Sequence, residues 1–155
     1  MNPLRYNIEE TSSARWSVWY DRAYPFLPAV AQTLLREGFA IRFHQVHGSP
    51  FEWTREIAQS VSLNHLSGGV VFTCVPHVVS CIANKIAGIR AAMVSSIFQL
   101  NSATLELQPN FIVVEMPGRT FFEMKQFVRS FLIPTPSLSP ELAHLFQELE
   151  HHAHR

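Results

Sequence analysis

The stretch that decides the fold is VVFTC at residues 70–74, and a second run of the same kind, FIVVE, lies at residues 111–115. In both runs apolar side chains occupy consecutive positions. A strand with one face in water alternates apolar and polar residues, whereas a strand covered by helices on both faces does not. The two runs therefore predict buried strands of a parallel sheet.

Strand-like and helix-like segments alternate on both sides of these runs. Strands are predicted at residues 16–20, 39–43, 69–74, 90–94 and 111–115, and helices at residues 23–36, 50–61, 77–86, 96–107 and 119–131. A strand followed by a helix, repeated five times, indicates the doubly wound, Rossmann-like α/β class with a five-stranded parallel sheet. Proteins of this class bind ligands at the carboxyl ends of the strands.

The composition divides the chain into three segments. Residues 1–14 are polar and irregular, so we expect a flexible N-terminal extension, and residues 15–132 form the α/β domain. Residues 133–155 form a linker and a C-terminal amphipathic helix, which is expected to begin with Ser139 as its cap and Pro140 in its first turn. Apolar residues recur in this helix at helical spacing: Leu142, Leu145, Phe146 and Leu149. They pack either on the same domain or on a second subunit.

The charge balance excludes several classes of partner. The 155 residues include 12 basic and 12 acidic side chains, so the formal net charge is zero. Nucleic acid is not an expected partner, because there is no excess of positive charge to attract it. No apolar run approaches the roughly 20 residues that cross a bilayer, and no signal peptide opens the chain. We therefore expect a cytoplasmic protein that binds no membrane, with Cys74 and Cys81 reduced.

The most specific motif, IANKIAGIRAA at residues 82–92, begins eight residues after Cys74. It resembles the Ala-Asn-Lys and Gly-Ile-Arg-Ala-Ala pattern of the family that contains type B ribose-5-phosphate isomerase and galactose-6-phosphate isomerase. Asp21 and Ala23 resemble the Asp-His-Ala-Gly turn of that family, and Asn110 precedes the fifth strand. The resemblance runs from residue 18 to about residue 132, roughly three quarters of the chain.

The resemblance implies that an aldose phosphate and a ketose phosphate are interconverted through an enediolate, without a cofactor. Cys74 matches the catalytic base, and Glu106 replaces the histidine implicated in ring opening. The residues that the resemblance assigns to substrate binding are Asp21, Arg22, Asn84, Lys85, Arg90, Asn110 and Arg119. Each assignment has a structural alternative: a buried small cysteine, a solvated glutamate at a helix end, and polar residues that hold a turn.

Three features depart from the family pattern. The family has a Gly-Thr-Gly-x-Gly loop after the cysteine, whereas this chain has a shorter loop without glycine, in which Pro76 lacks an N–H. An oxyanion hole of backbone N–H groups should therefore be reshaped or lost. Glu106 replaces a histidine, which titrates nearer neutral pH. Arg22 replaces another histidine, and Pro117 stands where an arginine would bind phosphate, with Arg119 two residues along.

Two hypotheses for function follow. The first is a divergent sugar-phosphate isomerase-like protein with weak or lost activity that either binds a sugar or sugar phosphate poorly or serves as a structural or regulatory subunit. The second is an active isomerase on another sugar or sugar phosphate, with Cys74 as base, Glu106 as acid and Arg22 or Arg119 on the anion. The family builds its site at a subunit junction, so we expect a homodimer or a heteromer with an intact family member. The eight histidines lack zinc-type spacing, and no metal site is predicted.

Overall fold

The computed structural model describes residues 16–39, 41–63, 65–132 and 137–153. The strands within these residues are β1 Trp16–Tyr20, β2 Arg42–Gln45, β3 Gly68–Thr73, β4 Ala91–Val94 and β5 Phe111–Glu115. The helices are α1 Leu27–Arg36, α2 Pro50–Ser62, α3 Pro76–Asn84, α4 Ile97–Leu107, α5 Phe121–Leu132 and α6 Pro140–Ala153. The extension predicted at residues 1–14 and residues 133–136 of the predicted linker lie outside the described residues.

The five strands form one parallel sheet in the order β2-β1-β3-β5-β4. All six residues of β3 and the first four residues of β5 are buried, as their continuous apolar runs predicted. The sequence prediction of a Rossmann-like α/β fold is thus confirmed. The connection from β1 leads to one edge of the sheet and the connection from β3 leads to the other. A crevice for a ligand is expected where these directions diverge, at the carboxyl ends of β1 and β3.

Two apolar clusters cover the two faces of the sheet. On one face Val70, Phe72 and Ile112 pack with buried residues of α1, α4 and α5. On the other face Val71 and Val113 pack with buried residues of α2 and α3. Burying one such side chain stabilises the folded state by about 1.5–3 kcal/mol, so both faces contribute to stability. Trp19 belongs to the second cluster and lies against Gly69, where a Cβ atom would collide with its indole ring.

The edge strand β2 begins three residues later than the sequence predicted. Gly38 has a φ of 89°, and the N–H of Phe39 donates to the carbonyl of Leu34. Phe39 therefore belongs to the C-terminal cap of α1 and not to the strand. The strand that follows, Arg42–Gln45, is mostly exposed. This strand therefore lacks the continuous apolar run that marks the buried strands. The prediction placed the strand too early because apolar residues stand just before it.

Serine side chains begin three of the helices. Ser49 accepts the N–H of Phe51 at the start of α2, and Ser96 accepts the N–H of Gln99 at the start of α4. Ser139 accepts the N–H of Leu142, which confirms the predicted start of α6. Helix α3 differs, because Val75 stands at its N-cap and no side chain bonds to its first turn. This uncapped helix begins directly after Cys74.

Helix α6 contacts the turn between α3 and β4. Glu150 accepts the N–H of Gly88 at 2.6 Å between Oε1 and the amide nitrogen. The predicted apolar stripe is divided by this arrangement. Leu142 and Phe146 are half-buried, whereas Leu145 and Leu149 are exposed. The half-buried pair agrees with packing on the same domain, and the exposed pair remains open to other contacts.

None of the helices in the described ranges combines the length and the apolar character that a membrane crossing requires.

Candidate functional site

Asp21 and Cys74 meet in the crevice between β1 and β3. Asp21 follows the last residue of β1, and its Oδ2 accepts the N–H of Cys74 at 3.1 Å and the hydroxyl of Thr73 at 2.7 Å. The Cys74 Sγ lies 3.5 Å from the same oxygen. The Asp21 Oδ1 accepts the hydroxyl of Tyr24 at 2.5 Å. The structure therefore brings together two of the residues that the sequence selected, in a network with Thr73 and Tyr24.

The Asp21 carboxylate has little capacity left for a ligand. A carboxylate offers about four lone-pair sites, and four donors from three residues already approach this one. The Cys74 thiol is one of these donors, so the sulfur and the carboxylate both have partners within the protein.

Tyr24 completes the network and was missed by sequence reasoning. Its side chain is buried, and burial together with the hydrogen bond to Asp21 raises the pKa of Tyr24 well above its usual range. The hydroxyl therefore remains a donor at any physiological pH. A signal was present in the sequence, because Tyr24 takes the place of the final glycine in the Asp-His-Ala-Gly turn that Asp21 and Ala23 resemble.

The backbone after β3 offers few donors to a ligand. The N–H of Cys74 bonds to Asp21, the N–H of Val75 bonds to the Thr73 hydroxyl oxygen at 3.0 Å, and Pro76 has no N–H. Residues 74–80 also contain no residue with a positive φ. The segment passes directly into α3 and does not form a glycine-type loop around a ligand.

Two arginines lie at this edge of the sheet in different environments. Arg22 follows Asp21 and is exposed. Arg119 follows β5, and its Nη1 donates to the carbonyl of Ser95 and lies 3.8 Å from a carboxylate oxygen of Glu123. Because Arg119 links the end of β4 to α5, Arg22 is the more accessible of the two cations.

The remaining predicted residues lie at the opposite edge, at the amino ends of the strands. Helices α3 and α4 return from the carboxyl ends to the amino ends, and Asn84 is the last residue of α3. The Asn84 amide accepts the N–H of Ala91 at 2.8 Å and donates to its carbonyl at 3.0 Å. Asn110 accepts the N–H of Arg90 and donates to the carbonyl of Gly88, both at 2.8 Å. Both asparagines hold backbone at the start of β4.

Arg90, Lys85 and Glu106 occupy the same edge. The Arg90 Nε and Nη2 donate to the carbonyl of Gln108 at 3.1 and 2.9 Å. Burial lowers the pKa of Arg90 from its ordinary value. Lys85 is exposed after α3, and Glu106 is exposed near the end of α4, where it accepts the Ser102 hydroxyl at 3.0 Å. Within one chain none of these three side chains joins the Asp21 network.

Comparisons with known proteins identify the fold. No protein-family model and no curated protein matches the chain. Solved structures do match: a ribose 5-phosphate isomerase from Thermotoga maritima has a TM-score of 0.72 at 19% identity, covering 88% of this chain and 97% of that chain. The type B ribose 5-phosphate isomerase of Trypanosoma brucei has a TM-score of 0.71 at 14% identity, covering 90% and 98%.

A third match is the ribose-5-phosphate isomerase B of Mycoplasma genitalium, solved with bound ribulose-5-phosphate. Its TM-score is 0.70 at 14% identity, and the match covers 92% of this chain and 99% of that chain. At such identities the likeness concerns the fold, and nearly the whole length of each matched enzyme is covered. The resemblance predicted from IANKIAGIRAA is confirmed at that level: this chain has the fold of the type B ribose-5-phosphate isomerases.

Proposed function

We propose that this chain is a divergent sugar-phosphate isomerase-like protein with weak or lost activity that acts as a structural or regulatory subunit. One observation carries the proposal: the three backbone positions after β3 offer no amide hydrogen to a ligand. Cys74 and Val75 use theirs internally, and Pro76 has none.

The loss of these donors bears directly on the reaction. Aldose–ketose interconversion passes through an enediolate, whose oxygen carries negative charge that hydrogen-bond donors must stabilise. Removing one donor of this kind lowers the rate by about 100-fold to 1000-fold, so a site that lacks several should have little activity.

The contacts of the candidate base support the same conclusion. The Cys74 Sγ lies 3.5 Å from the Asp21 Oδ2, and that oxygen also accepts the hydroxyl of Thr73 and the N–H of Cys74. The sulfur is therefore engaged by a side chain of the protein itself, as are the backbone donors around it.

The second candidate is an active isomerase on another sugar phosphate, and one observation favours it. Asp21, Arg22 and the half-buried Cys74 lie together at the crevice where doubly wound proteins bind ligands. Here Cys74 would be the base and Arg22 or Arg119 would bind the anion. Glu106 would act as the acid from a second chain, because its own chain places it at the opposite edge of the sheet.

Proton exchange at carbon two distinguishes the two candidates. Ribose 5-phosphate and hexose phosphates are incubated with the protein in deuterium oxide, and loss of the carbon-two proton is followed by NMR. We expect no exchange above the level of Cys74→Ala. The matched control is Cys81→Ala, which removes an exposed thiol from α3, the helix that follows Cys74. Exchange that Cys81→Ala retains and Cys74→Ala abolishes would overturn the first proposal and support the second.

We further propose that α4 provides the subunit contact. Phe98 is 82% exposed and Leu105 is 85% exposed, and their seven-residue spacing places them on the same helix face. Glu106 follows Leu105. A partner subunit that docked on this face would therefore contact Glu106, the candidate acid of a site shared between subunits. Exposed apolar side chains of this size, two turns apart on one helix face, are typical of interaction surfaces.

Sedimentation velocity tests this contact for the chain alone and for the chain mixed with an intact type B ribose-5-phosphate isomerase. We expect a dimer or a mixed assembly that the double variant Phe98→Glu, Leu105→Lys dissociates. The control Leu145→Glu, Leu149→Lys on α6 should leave it intact. Dissociation by the α6 pair and not by the α4 pair would show that the contact lies on α6. Monomers under all conditions would exclude the subunit role.

A further inference from the structure

A cavity of about 330 Å³ opens at the amino ends of the strands, at the edge opposite Cys74. It lies between the starts of β1, β4 and β5 and the ends of α4 and α5. Its polar lining includes Arg90, Asn110 and several hydroxyl groups, among them those of Ser67, Thr104 and Ser130. Among the residues that the structure describes, no aspartate or glutamate lines it. The volume is that of a site for a small molecule.

The cation in this cavity lacks a close counter-charge. Arg90 is half-buried, and its Nε and Nη2 both bond to the neutral carbonyl of Gln108. Within the described ranges, no carboxylate oxygen lies within 4.0 Å of its guanidinium. Glu150 attracts it from a greater distance, but its Oε1 accepts the N–H of Gly88. A buried charge is costly without a partner, so an anion that reached the guanidinium would be stabilised.

An aromatic wall faces the other side of the cavity. Trp16 and Phe131 both line it, and their rings meet edge to face with centroids 4.4 Å apart. The indole also lies directly against Gly68, where a Cβ atom would collide with it. Rigid aromatic surfaces of this kind bind flat or apolar groups with little loss of conformational entropy.

We propose that this cavity binds a small organic anion, with a phosphate or carboxylate group on Arg90 and a flat or apolar body against Trp16 and Phe131. The site is separate from the Asp21 network and does not depend on whether Cys74 is active. The anion would accept hydrogen bonds from the guanidinium N–H groups of Arg90 that do not bond to the Gln108 carbonyl.

Isothermal titration calorimetry with phenyl phosphate tests the proposal, with phenol and inorganic phosphate as the two halves of the probe. We expect phenyl phosphate to bind more tightly than either half. Arg90→Gln should weaken binding by about tenfold or more, because a charge-assisted hydrogen bond is lost. Ser130→Leu, which fills the cavity from α5 and keeps Arg90, should abolish binding. Arg55→Gln, which removes an exposed arginine of α2, is the matched control and should bind like the unmodified protein. Arg22→Gln tests for binding at the opposite edge instead.

Thermal unfolding of each variant accompanies the titrations, because Arg90 also holds the end of α4. If Arg90→Gln fails to fold, Ser130→Leu decides the question, since a longer apolar side chain is well tolerated in a helix. Ribose 5-phosphate titrated into the same variants shows whether a sugar phosphate uses this cavity or the Asp21 edge. Equal affinity of phenyl phosphate for Ser130→Leu and the unmodified protein, weakening by Arg22→Gln alone, or no binding at millimolar concentration would each overturn the proposal.

Discussion

The two edges of the sheet use their polar residues in different ways. At the carboxyl edge, Asp21 and Cys74 bond to each other and to their neighbours, so the candidate site is filled from within. At the amino edge, Asn84 and Asn110 bond to backbone atoms, and Arg90 borders an open cavity. The motif that most resembles the isomerase family is therefore at the edge that lacks the cysteine. A resemblance carried by such residues indicates the fold and leaves the chemistry undecided.

The largest effect is expected for Asp21→Ala. The substitution leaves the hydroxyl of Thr73, which is 0% exposed, and that of Tyr24 without their acceptor. Each unsatisfied buried group costs about 1–3 kcal/mol, so the free energy of unfolding should fall by about 2–6 kcal/mol in urea denaturation. The control Glu106→Ala at the opposite edge should change it by less than about 0.5 kcal/mol. A loss below about 1 kcal/mol for Asp21→Ala would mean that the network is not structural.

The next effect is expected for Asn84→Ala, which tests whether the motif at the amino edge is structural. The variant removes both hydrogen bonds to Ala91 at the start of β4. Two net hydrogen bonds contribute about 1–3 kcal/mol, which should be lost from the free energy of unfolding. The neighbouring exposed residue supplies the control, because Lys85→Ala should be nearly neutral. If Lys85→Ala proved as destabilising as Asn84→Ala, the backbone contact of the asparagine would not explain the motif.

The smallest effect at neutral pH is expected for Tyr24→Phe. This variant removes one hydrogen bond to Asp21 and should cost about 0.5–1.5 kcal/mol. At alkaline pH the difference in stability between the unmodified protein and Tyr24→Phe should change, because the pKa of Tyr24 is raised in the folded state. Above a pH of about 10 an unfolded tyrosine loses its proton and the folded one keeps it, so stability falls as the pH rises.

The measurement is the free energy of unfolding between neutral pH and a pH of about 11, above the ordinary tyrosine pKa of about 10. The unmodified protein should lose stability more steeply than Tyr24→Phe, by at most about 1.4 kcal/mol per pH unit for one proton. Parallel curves would show that the pKa of Tyr24 is not raised in the folded protein. Tyr20, whose pKa is also raised by burial, stays in both proteins and so cancels in the comparison.

The sequence predicted the sheet well because the information was local. VVFTC and FIVVE do not alternate apolar and polar residues, so both faces of their strands had to be covered. The edge strand at Arg42–Gln45 was misplaced because an exposed strand carries no such signal. The order of the strands was not predicted, since it depends on contacts between segments that are distant in the chain.

The candidate site was predicted in part, for physical reasons that differ between residues. Asp21 and Cys74 follow neighbouring strands and had to meet. Asn84 and Glu106 were assigned to the same site by resemblance, although each lies near the end of a helix that returns to the other edge. Tyr24 was missed although it replaces the final glycine of the Asp-His-Ala-Gly turn, because that replacement does not by itself show that the hydroxyl bonds to Asp21.

The start of β3 carries one more consequence. Gly68 faces the indole of Trp16, and Gly69 faces the indole of Trp19 on the other side of the sheet. Each glycine makes room for a ring that a methyl group would displace. A larger residue at either glycine position therefore requires a smaller side chain at the tryptophan position that it faces. Related chains with larger residues at 68 and 69 should carry smaller ones at 16 and 19, and a chain that grew at both members of a pair would have to thicken or shear its sheet.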